Sequence, residues 1–236
     1  MTGKIFLIPS ALGAEGNNSI PERSREGLMT IEYFIVENER AARRFLRSLG
    51  YTKSFEEVIL NKLERDEDFE ESAELLAYLK SGRCAGVISE AGCPGIADPG
   101  ASVVKWAHRL GIDVIPVVGP SSIFLALMAS GLNGQQFVFH GYLPIESATR
   151  KLKLKQLEEE SFLKNQTQIF METPYRNDGL VKDMLSVCRS ATKLCIASNI
   201  TLPTENIRMY SIGEWKKNIP DLKKKPAIFL LLSCER

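Results

Sequence analysis

The sequence predicts an α/β protein of two domains, with a mostly parallel sheet in the first and a mixed α/β second domain. Three observations lead to this fold class. Short apolar runs alternate with helical segments in the first half of the chain, as in parallel strands joined by helices. Further apolar runs beyond Gly134 indicate a second sheet. The length of 236 residues suits two domains, which we place at residues 1–118 and 119–236.

In the first half, four apolar runs are predicted to be strands: residues 4–8, 31–36, 84–89 and 113–118. Three segments with helical character follow or separate them: residues 41–49, 70–80 and 102–110. Gly50 and Gly82 end two of these helices, which is the usual place for glycine. The acidic stretch at residues 63–71 is predicted to be a solvated loop.

In the second half, a helix is predicted to begin at Ser121 or Ser122 and to continue through Met128. Four strands are predicted beyond it, at residues 137–141, 168–171, 193–197 and 227–233. A charged helix is predicted at residues 151–160. These elements form the second domain.

Charge and cysteine content exclude several classes of protein. The 30 basic and 29 acidic residues nearly balance, so a polyanion would have to bind a local patch. The five cysteines are odd in number and have no C-x-x-C pair, which argues against a zinc site and predicts no metal. No apolar stretch is long enough to span a membrane, and we expect a cytoplasmic protein that binds no membrane.

Residues 89–100 (SEAGCPGIADPG) carry the strongest signal for a binding site. They follow a predicted buried strand, and small residues at such a place let a ligand approach backbone N–H groups. Glycine and proline also build tight turns, so this stretch alone leaves both interpretations open. The spacing is not G-x-G-x-x-G, and the chain contains no phosphate-binding G-x-x-x-x-G-K-[ST] loop. Nicotinamide cofactors and nucleotide hydrolysis are therefore disfavoured.

A second turn, at residues 118–122 (VGPSS), places Ser121 and Ser122 at the start of a helix. Their hydroxyls can cap that helix, contact a ligand, or do both. Together, the two turns resemble the tetrapyrrole (corrin/porphyrin) methylase superfamily. Within it, the sequence is most similar to the ribosomal RNA small subunit methyltransferase I family.

That family carries the stretch Ser-Asp-Ala-Gly-Thr-Pro-Gly-Ile-Ser-Asp-Pro-Gly. Here Glu90 replaces the first Asp of that stretch, Cys93 replaces its Thr, and Ala97 replaces its second Ser. The other positions match. Residues 8–13, 131–144 and 169–176 also resemble family segments, so the similarity covers most of the chain in order.

The resemblance implies two α/β domains, a homodimer, and S-adenosylmethionine bound in the cleft between the domains. By position, the residues implied to contact this cofactor are Pro9, Gly92, Cys93, Pro94, Gly95, Ile96, Ser121, Ser122, Met171, Glu172, Asn199, Ile200, Pro226 and Ala227. It further implies ribose 2′-O-methylation of small-subunit ribosomal RNA. Glu37 and Arg40, in a segment where the family has Glu-Asp-Thr-Arg, become candidates for the acceptor side.

Two departures affect the acceptor more than the cofactor. Residues 197–205 (ASNITLPTE) lack the Arg, Glu and Lys of the family, and residues 9–14 (PSALGA) replace Pro-Thr-Pro-Ile-Gly-Asn. Three functions therefore compete: a ribosomal RNA methyltransferase, a methyltransferase for a tetrapyrrole or another small molecule, and a non-catalytic cofactor-binding module. Lysines at residues 151–155 and 223–225 are candidates for contacts with RNA, although solvated charge explains them equally well.

Overall fold

The protein is described here by a computed structural model that covers residues 2–13 and 20–233. It divides into two compact units, Met1–Ser121 and Ser122–Arg236. The boundary after residue 118 stays a prediction. Each unit has a five-stranded sheet.

The first unit contains a fully parallel sheet, which confirms the prediction of a mostly parallel one. Its strands are β1 (Ile5–Ile8), β2 (Tyr33–Val36), β3 (Ile59–Lys62), β4 (Ala85–Ile88) and β5 (Val114–Pro116). Their order is β3-β2-β4-β1-β5, and each neighbouring pair is parallel. The helices are α1 (Glu22–Glu26), α2 (Glu39–Ser48), α3 (Ala73–Lys80) and α4 (Ala101–Arg109), with 3-10 turns at Gly27–Thr30 and Asp66–Asp68.

Strand β2 explains why the first unit has helices on both faces of its sheet. Tyr33 and Ile35 join a core with α3 and α4, in which Trp106 is buried. Phe34 and Val36 point the other way and pack with α2. A strand that is buried on both faces needs a continuous apolar run, which is the pattern that predicts it.

The second unit has a mixed sheet. Its strands are β6 (Phe137–Tyr142), β7 (Thr167–Glu172), β8 (Lys193–Ser198), β9 (Asn206–Ser211) and β10 (Ala227–Leu232). Their order is β6-β7-β10-β8-β9; β6 and β7 are parallel, and the other pairs are antiparallel. The helices are α5 (Ser122–Ser130), α6 (Ser147–Lys164), α7 (Asn177–Val187) and α8 (Ile212–Trp215).

The core of the second unit lies between its sheet and the helices α6, α7 and α8. The rings of Phe170 and Phe229 stack on neighbouring strands, with centroids 6.0 Å apart. A buried ion pair joins α6 to α7, since Nε of Arg150 lies 2.9 Å from Oδ2 of Asp183. Because Arg150 also donates to the carbonyl of Ile145 (2.7 Å), the guanidinium is compensated on more than one side.

Candidate active site

The carboxyl ends of parallel strands meet at one edge of the first sheet, where such sheets bind ligands. We call the segments that follow these strands the first edge: residues 9–13, 37–40, 89–100 and 117–121. The structure brings the predicted site residues of the first unit to this edge: Pro9, Glu37, Arg40, Gly92, Cys93, Pro94, Gly95, Ile96 and Ser121. Ser122 is the first residue of α5 in the second unit.

The glycine-rich loop of the first edge has a backbone shape that needs glycine. Ser10 and Gly92 exchange two backbone hydrogen bonds, with N–O distances of 2.8 and 3.1 Å. The φ angles are +79° at Gly92 and +76° at Gly95, in the left-handed region that residues with a Cβ avoid. These glycines therefore serve the fold of the loop and leave room for a ligand as well.

Asp66 fixes the far end of this loop from another part of the sequence. Its Oδ1 accepts hydrogen bonds from the backbone N–H of Gly100 (2.9 Å) and Ser102 (3.0 Å) and from the hydroxyl of Ser102 (2.7 Å). Gly100 precedes α4 and has no side chain to cap it, so Asp66 acts as the cap. Burial raises the pKa of Asp66, but these hydrogen bonds outweigh it and the pKa is lowered.

The loops after β1, β4 and β5 are in direct contact. A Cβ at Gly119 would lie 2.5 Å from Cβ of Pro9, so only glycine fits there. The thiol of Cys93 donates to the carbonyl of Pro120, with Sγ and O 3.5 Å apart. Burial raises the pKa of the Cys93 thiol, so the thiol stays neutral and lines the loop rather than acting as a nucleophile.

Carboxylates gather where β2 and β4 end. Oε2 of Glu37 accepts a hydrogen bond from the backbone N–H of Glu90 (3.0 Å). Burial raises the pKa of Glu37; the hydrogen bond opposes this shift, and the charge of Glu90 adds to it. Burial, aided by the charge of Glu37, raises the pKa of Asp98 to about 6, although a hydrogen bond with Ser89 opposes this. A carboxyl group with that pKa can accept a proton near neutral pH.

Asp98 is the functional candidate that the sequence interpretation missed. The signal was present, because Asp98 is the second Asp of the family stretch and is retained here. Glycine and proline dominate this stretch, and the proximity of Glu37 becomes visible only when β2 and β4 are paired. By contrast, Arg40 is exposed on α2, and Ile96 is 51% exposed.

A second group of predicted residues meets at one edge of the second sheet, which we call the second edge. Strand β10 lies between β7 and β8, so that Ala227 pairs with Glu172 on one side and with Ser198 on the other. The N–H of Asn199 donates to the carbonyl of Pro226 (3.0 Å). The residues brought together are Met171, Glu172, Asn199, Ile200, Pro226 and Ala227.

Glu172 presents an open acceptor at the second edge. Its side chain is buried, and Oε1 accepts from the N–H of Thr173 (2.7 Å) and from Nη2 of Arg176 (2.6 Å). Oε2 is buried and has no hydrogen-bond partner among residues 2–13 and 20–233. A buried carboxylate oxygen left unpaired is unfavourable, so this atom suits a hydrogen-bond donor from a ligand.

The turn after β8 holds backbone strain next to that acceptor. The φ angles are +52° at Asn199 and +70° at Thr201, and neither residue is glycine. Asparagine adopts such an angle readily, but for threonine, which is branched at Cβ, the surrounding structure must impose it; strained residues of that kind concentrate at functional sites. The hydroxyl of Thr201 is also buried without a partner within the described part of the chain.

Residues 11–215 match the tetrapyrrole (corrin/porphyrin) methylases. The chain belongs to this family. Among its relatives is a Ribosomal RNA small subunit methyltransferase I of Vibrio cholerae, 29% identical over 96% of this chain and 76% of the relative. The protein of the same name from Pseudomonas aeruginosa is 30% identical over 90% of this chain and 71% of the relative.

Two methyltransferases of known structure share the methylase fold. The uroporphyrin-III-C-methyltransferase of Thermus thermophilus has a TM-score of 0.57 and 19% identity, covering 99% of this chain and 93% of its own. The methyltransferase CobJ has a TM-score of 0.62 and 14% identity, covering 98% and 95%. Family and relatives identify the protein as a methyltransferase whose methyl donor is S-adenosylmethionine.

The residues present fit this cofactor. S-adenosylmethionine carries ammonium, amine and hydroxyl donors, and the unpaired Oε2 of Glu172 is a matching acceptor. The left-handed backbone at Gly92 and Gly95 leaves the space that a side chain would otherwise fill.

No three His, Cys, Asp or Glu side chains of the described ranges form a group that could hold a metal ion. None of the helices in those ranges is both long and apolar enough to cross a membrane.

Proposed function

We propose that the protein methylates RNA of the small ribosomal subunit at a ribose 2′-hydroxyl. The proposal is supported by the relatives named Ribosomal RNA small subunit methyltransferase I, which align with nearly the whole chain. The alignment with the Vibrio cholerae protein covers 96% of it. The tetrapyrrole methyltransferases of known structure are 19% identical or less and share only the fold. Their substrates are therefore a weaker guide to the methyl acceptor of this protein.

The proposed cofactor contacts are the residues that the family resemblance implies in each unit. From the first edge and the start of α5 they are Pro9, Gly92, Cys93, Pro94, Gly95, Ile96, Ser121 and Ser122; from the second edge they are Met171, Glu172, Asn199, Ile200, Pro226 and Ala227. When bound, S-adenosylmethionine supplies an electrophilic methyl group on a sulfonium. The glycines of the first edge allow close approach, and Oε2 of Glu172 accepts a hydrogen bond.

The acidic residues of the first edge serve the acceptor. A ribose hydroxyl must lose its proton as its oxygen is methylated, and Asp98 accepts that proton. Glu37 is a positioning residue, because it holds the N–H of Glu90 and its charge helps to raise the pKa of Asp98. Arg40, exposed on the neighbouring helix α2, binds the acceptor.

We further propose that the protein is a cytoplasmic homodimer, as the family resemblance implies. Phe124 and Met128 lie one helical turn apart on α5 and are 56% and 80% exposed, which supports a surface for association. Light scattering on the wild type and on Met128→Glu tests this: a dimer that dissociates in the variant is expected, and a monomeric wild type contradicts it.

The function is tested by binding and transfer together. Calorimetry with S-adenosylmethionine and S-adenosylhomocysteine measures cofactor affinity, and radiolabelled methyl donor is offered with small ribosomal subunits and, separately, with tetrapyrrole precursors. Label in RNA that survives as a 2′-O-methylnucleoside after nuclease digestion is expected. Label in a tetrapyrrole would replace the proposed acceptor, and cofactor binding without any transfer would support a binding module.

A further inference from the structure

Helix α2 carries a concentration of positive charge beside the first edge. Four of its ten residues are arginines: Arg40, Arg43, Arg44 and Arg47. Arg43 pairs with Glu39 at 3.2 Å, and the guanidinium of Arg47 lies 4.4 Å from the centroid of the Phe55 ring.

Arg40 and Arg44 differ from the other two. Both are exposed, and neither forms an ion pair or hydrogen bond with any residue in the described ranges. Residues four apart lie on the same face of a helix, so these guanidinium groups form one adjacent pair. They are available for an anionic ligand.

A cavity of about 430 Å³ lies against this helix. Its walls come from the loops after β1 and β4 and from α2: Ser10, Ala11, Leu12, Gly13, Ala41, Ala42, Arg44, Phe45, Ser48, Ser89, Glu90 and Ala91. The lining thus combines hydroxyl groups, the half-buried aromatic ring of Phe45, a carboxylate and the guanidinium of Arg44. This volume lies within the range of cavities that bind small molecules or parts of larger ones.

We propose that this cavity receives one nucleotide of the RNA acceptor, and that Arg40 and Arg44 bind its phosphodiester. This rests on the proposed function and names the surface where the substrate is held. Guanidinium groups match phosphate oxygens in a bidentate geometry, and bases pack well on aromatic rings. The charge of Glu90 repels phosphate, so the phosphate faces α2 and the ribose lies on the side of Glu90.

Two of the lysines singled out in the sequence, Lys151 and Lys225, are weaker candidates for this role. Nζ of Lys151 lies 3.5 Å from Oδ1 of Asp183, and Nζ of Lys225 lies 3.4 Å from Oδ2 of Asp221. Their charge is partly compensated within the second unit, whereas that of Arg40 and Arg44 is not.

Arg40→Ala, Arg44→Ala and the double variant test the proposal, with Arg43→Ala as the matched control. Arg43 lies on the same helix and its loss changes the net charge equally, but it is already paired. Filter binding to a small-subunit ribosomal RNA transcript is measured over a series of salt concentrations, together with calorimetry of S-adenosylhomocysteine.

Each of the two single variants should weaken RNA binding by roughly tenfold. The slope of log affinity against log salt should fall by about 0.7 in the double variant, as for the loss of one phosphate contact to a single strand. Arg43→Ala should change RNA binding little, and cofactor affinity should stay constant in all variants.

Three outcomes are distinct. If wild type binds RNA and only Arg40→Ala and Arg44→Ala weaken it, the nucleotide site is supported. If wild type binds and methylates RNA but the three single-site variants behave alike, this site is overturned and the proposed function stands. If wild type neither binds nor methylates RNA but transfers methyl to a carboxylate-rich small molecule, both are overturned.

Discussion

The first and second edges hold their residues by different means. At the first edge the backbone sets the shape, through the Ser10–Gly92 bridge and the contact of Gly119 with Pro9. At the second edge a buried carboxylate, Glu172, and the left-handed backbone of Asn199 and Thr201 set it. A site built from backbone tolerates exchange of side chains, whereas a site built from side chains depends on each of them. We therefore expect changes of acidic side chains at the first edge to affect transfer, and changes that block its backbone to affect cofactor affinity. Side-chain changes at the second edge should affect cofactor affinity and stability.

The largest expected effect is that of Asp98→Asn at the first edge. Turnover should fall by about 100-fold or more, because the amide cannot accept the proton. In the wild type, turnover should rise with pH through about 6, where Asp98 loses its proton. Single-turnover rates between pH 5 and 8 measure both effects, and equal rates in the variant would remove Asp98 from the chemistry.

As the pH rises, the stability that Asp98 contributes should fall, whereas turnover should rise. Its folded pKa of about 6 lies above the ordinary value of 3.8, so its contribution to stability is present below pH 3.8 and is lost as the pH rises through 6. Asp98→Asn should then melt no lower than wild type at pH 8.

Glu90→Gln is the comparison variant for the pH dependence of turnover. It removes a charge that raises the pKa of Asp98, and it should shift the rise in turnover to lower pH.

Gly92→Leu tests whether the first edge depends on backbone space. The new side chain meets a φ of +79° and lies near Leu12, so affinity for S-adenosylhomocysteine should fall by about 30-fold, as expected for overpacking. Gly111→Leu is the control, because its φ of +67° imposes similar strain in open space. If calorimetry finds equal affinities in the two variants, the loop is not part of the cofactor site.

Glu172→Gln tests the side-chain character of the second edge. The variant places an amide donor where the unpaired Oε2 accepts, and cofactor affinity should fall by roughly tenfold. Glu158→Gln is a matched buried control, since Oε1 of Glu158 is already bound by the N–H of Arg189 (2.8 Å). Both variants should melt lower, but only Glu172→Gln should bind cofactor more weakly; weaker binding in both would point to general destabilisation.

The smallest expected effect is that of Thr201→Gly. Glycine relieves the strain at φ +70° and removes a buried unpaired hydroxyl, so the free energy of unfolding should rise by about 1 kcal/mol. Denaturant unfolding measures the change, with Lys224→Gly, at φ +60° and exposed, as control. A loss of stability in Thr201→Gly would show that the turn is not strained.

The two edges also differ in how far the sequence predicts them. Glycine and proline spacing predicts the first-edge loop, because few other residues adopt its backbone. The strands β3 and β9 were missed because they lie at sheet edges and are largely exposed, which leaves no apolar run to detect. The hydrogen bond between Asp66 and Gly100 joins positions 34 residues apart, so no local sequence pattern predicts it.

The turn at residues 199–205 shows how a departure from a family pattern can be absorbed. In place of the family's charged residues, Nδ2 of Asn199 donates to Oγ1 of Thr204 (3.0 Å), and the N–H of Thr201 donates to Oε2 of Glu205 (2.7 Å). The turn satisfies these polar groups internally, so the lost charges leave its fold intact while changing what it can offer to a ligand.

The cap that Asp66 provides to α4 affects the order in which the first unit folds. During synthesis the carboxylate emerges before the amides of Gly100 and Ser102, and it cannot bind them until the segment up to residue 102 has left the ribosome. The glycine-rich loop can therefore close only after β4, which precedes it in the chain, has been synthesised. In the mature protein the same two amides should exchange their hydrogens for deuterium slowly, as a pair that opens together.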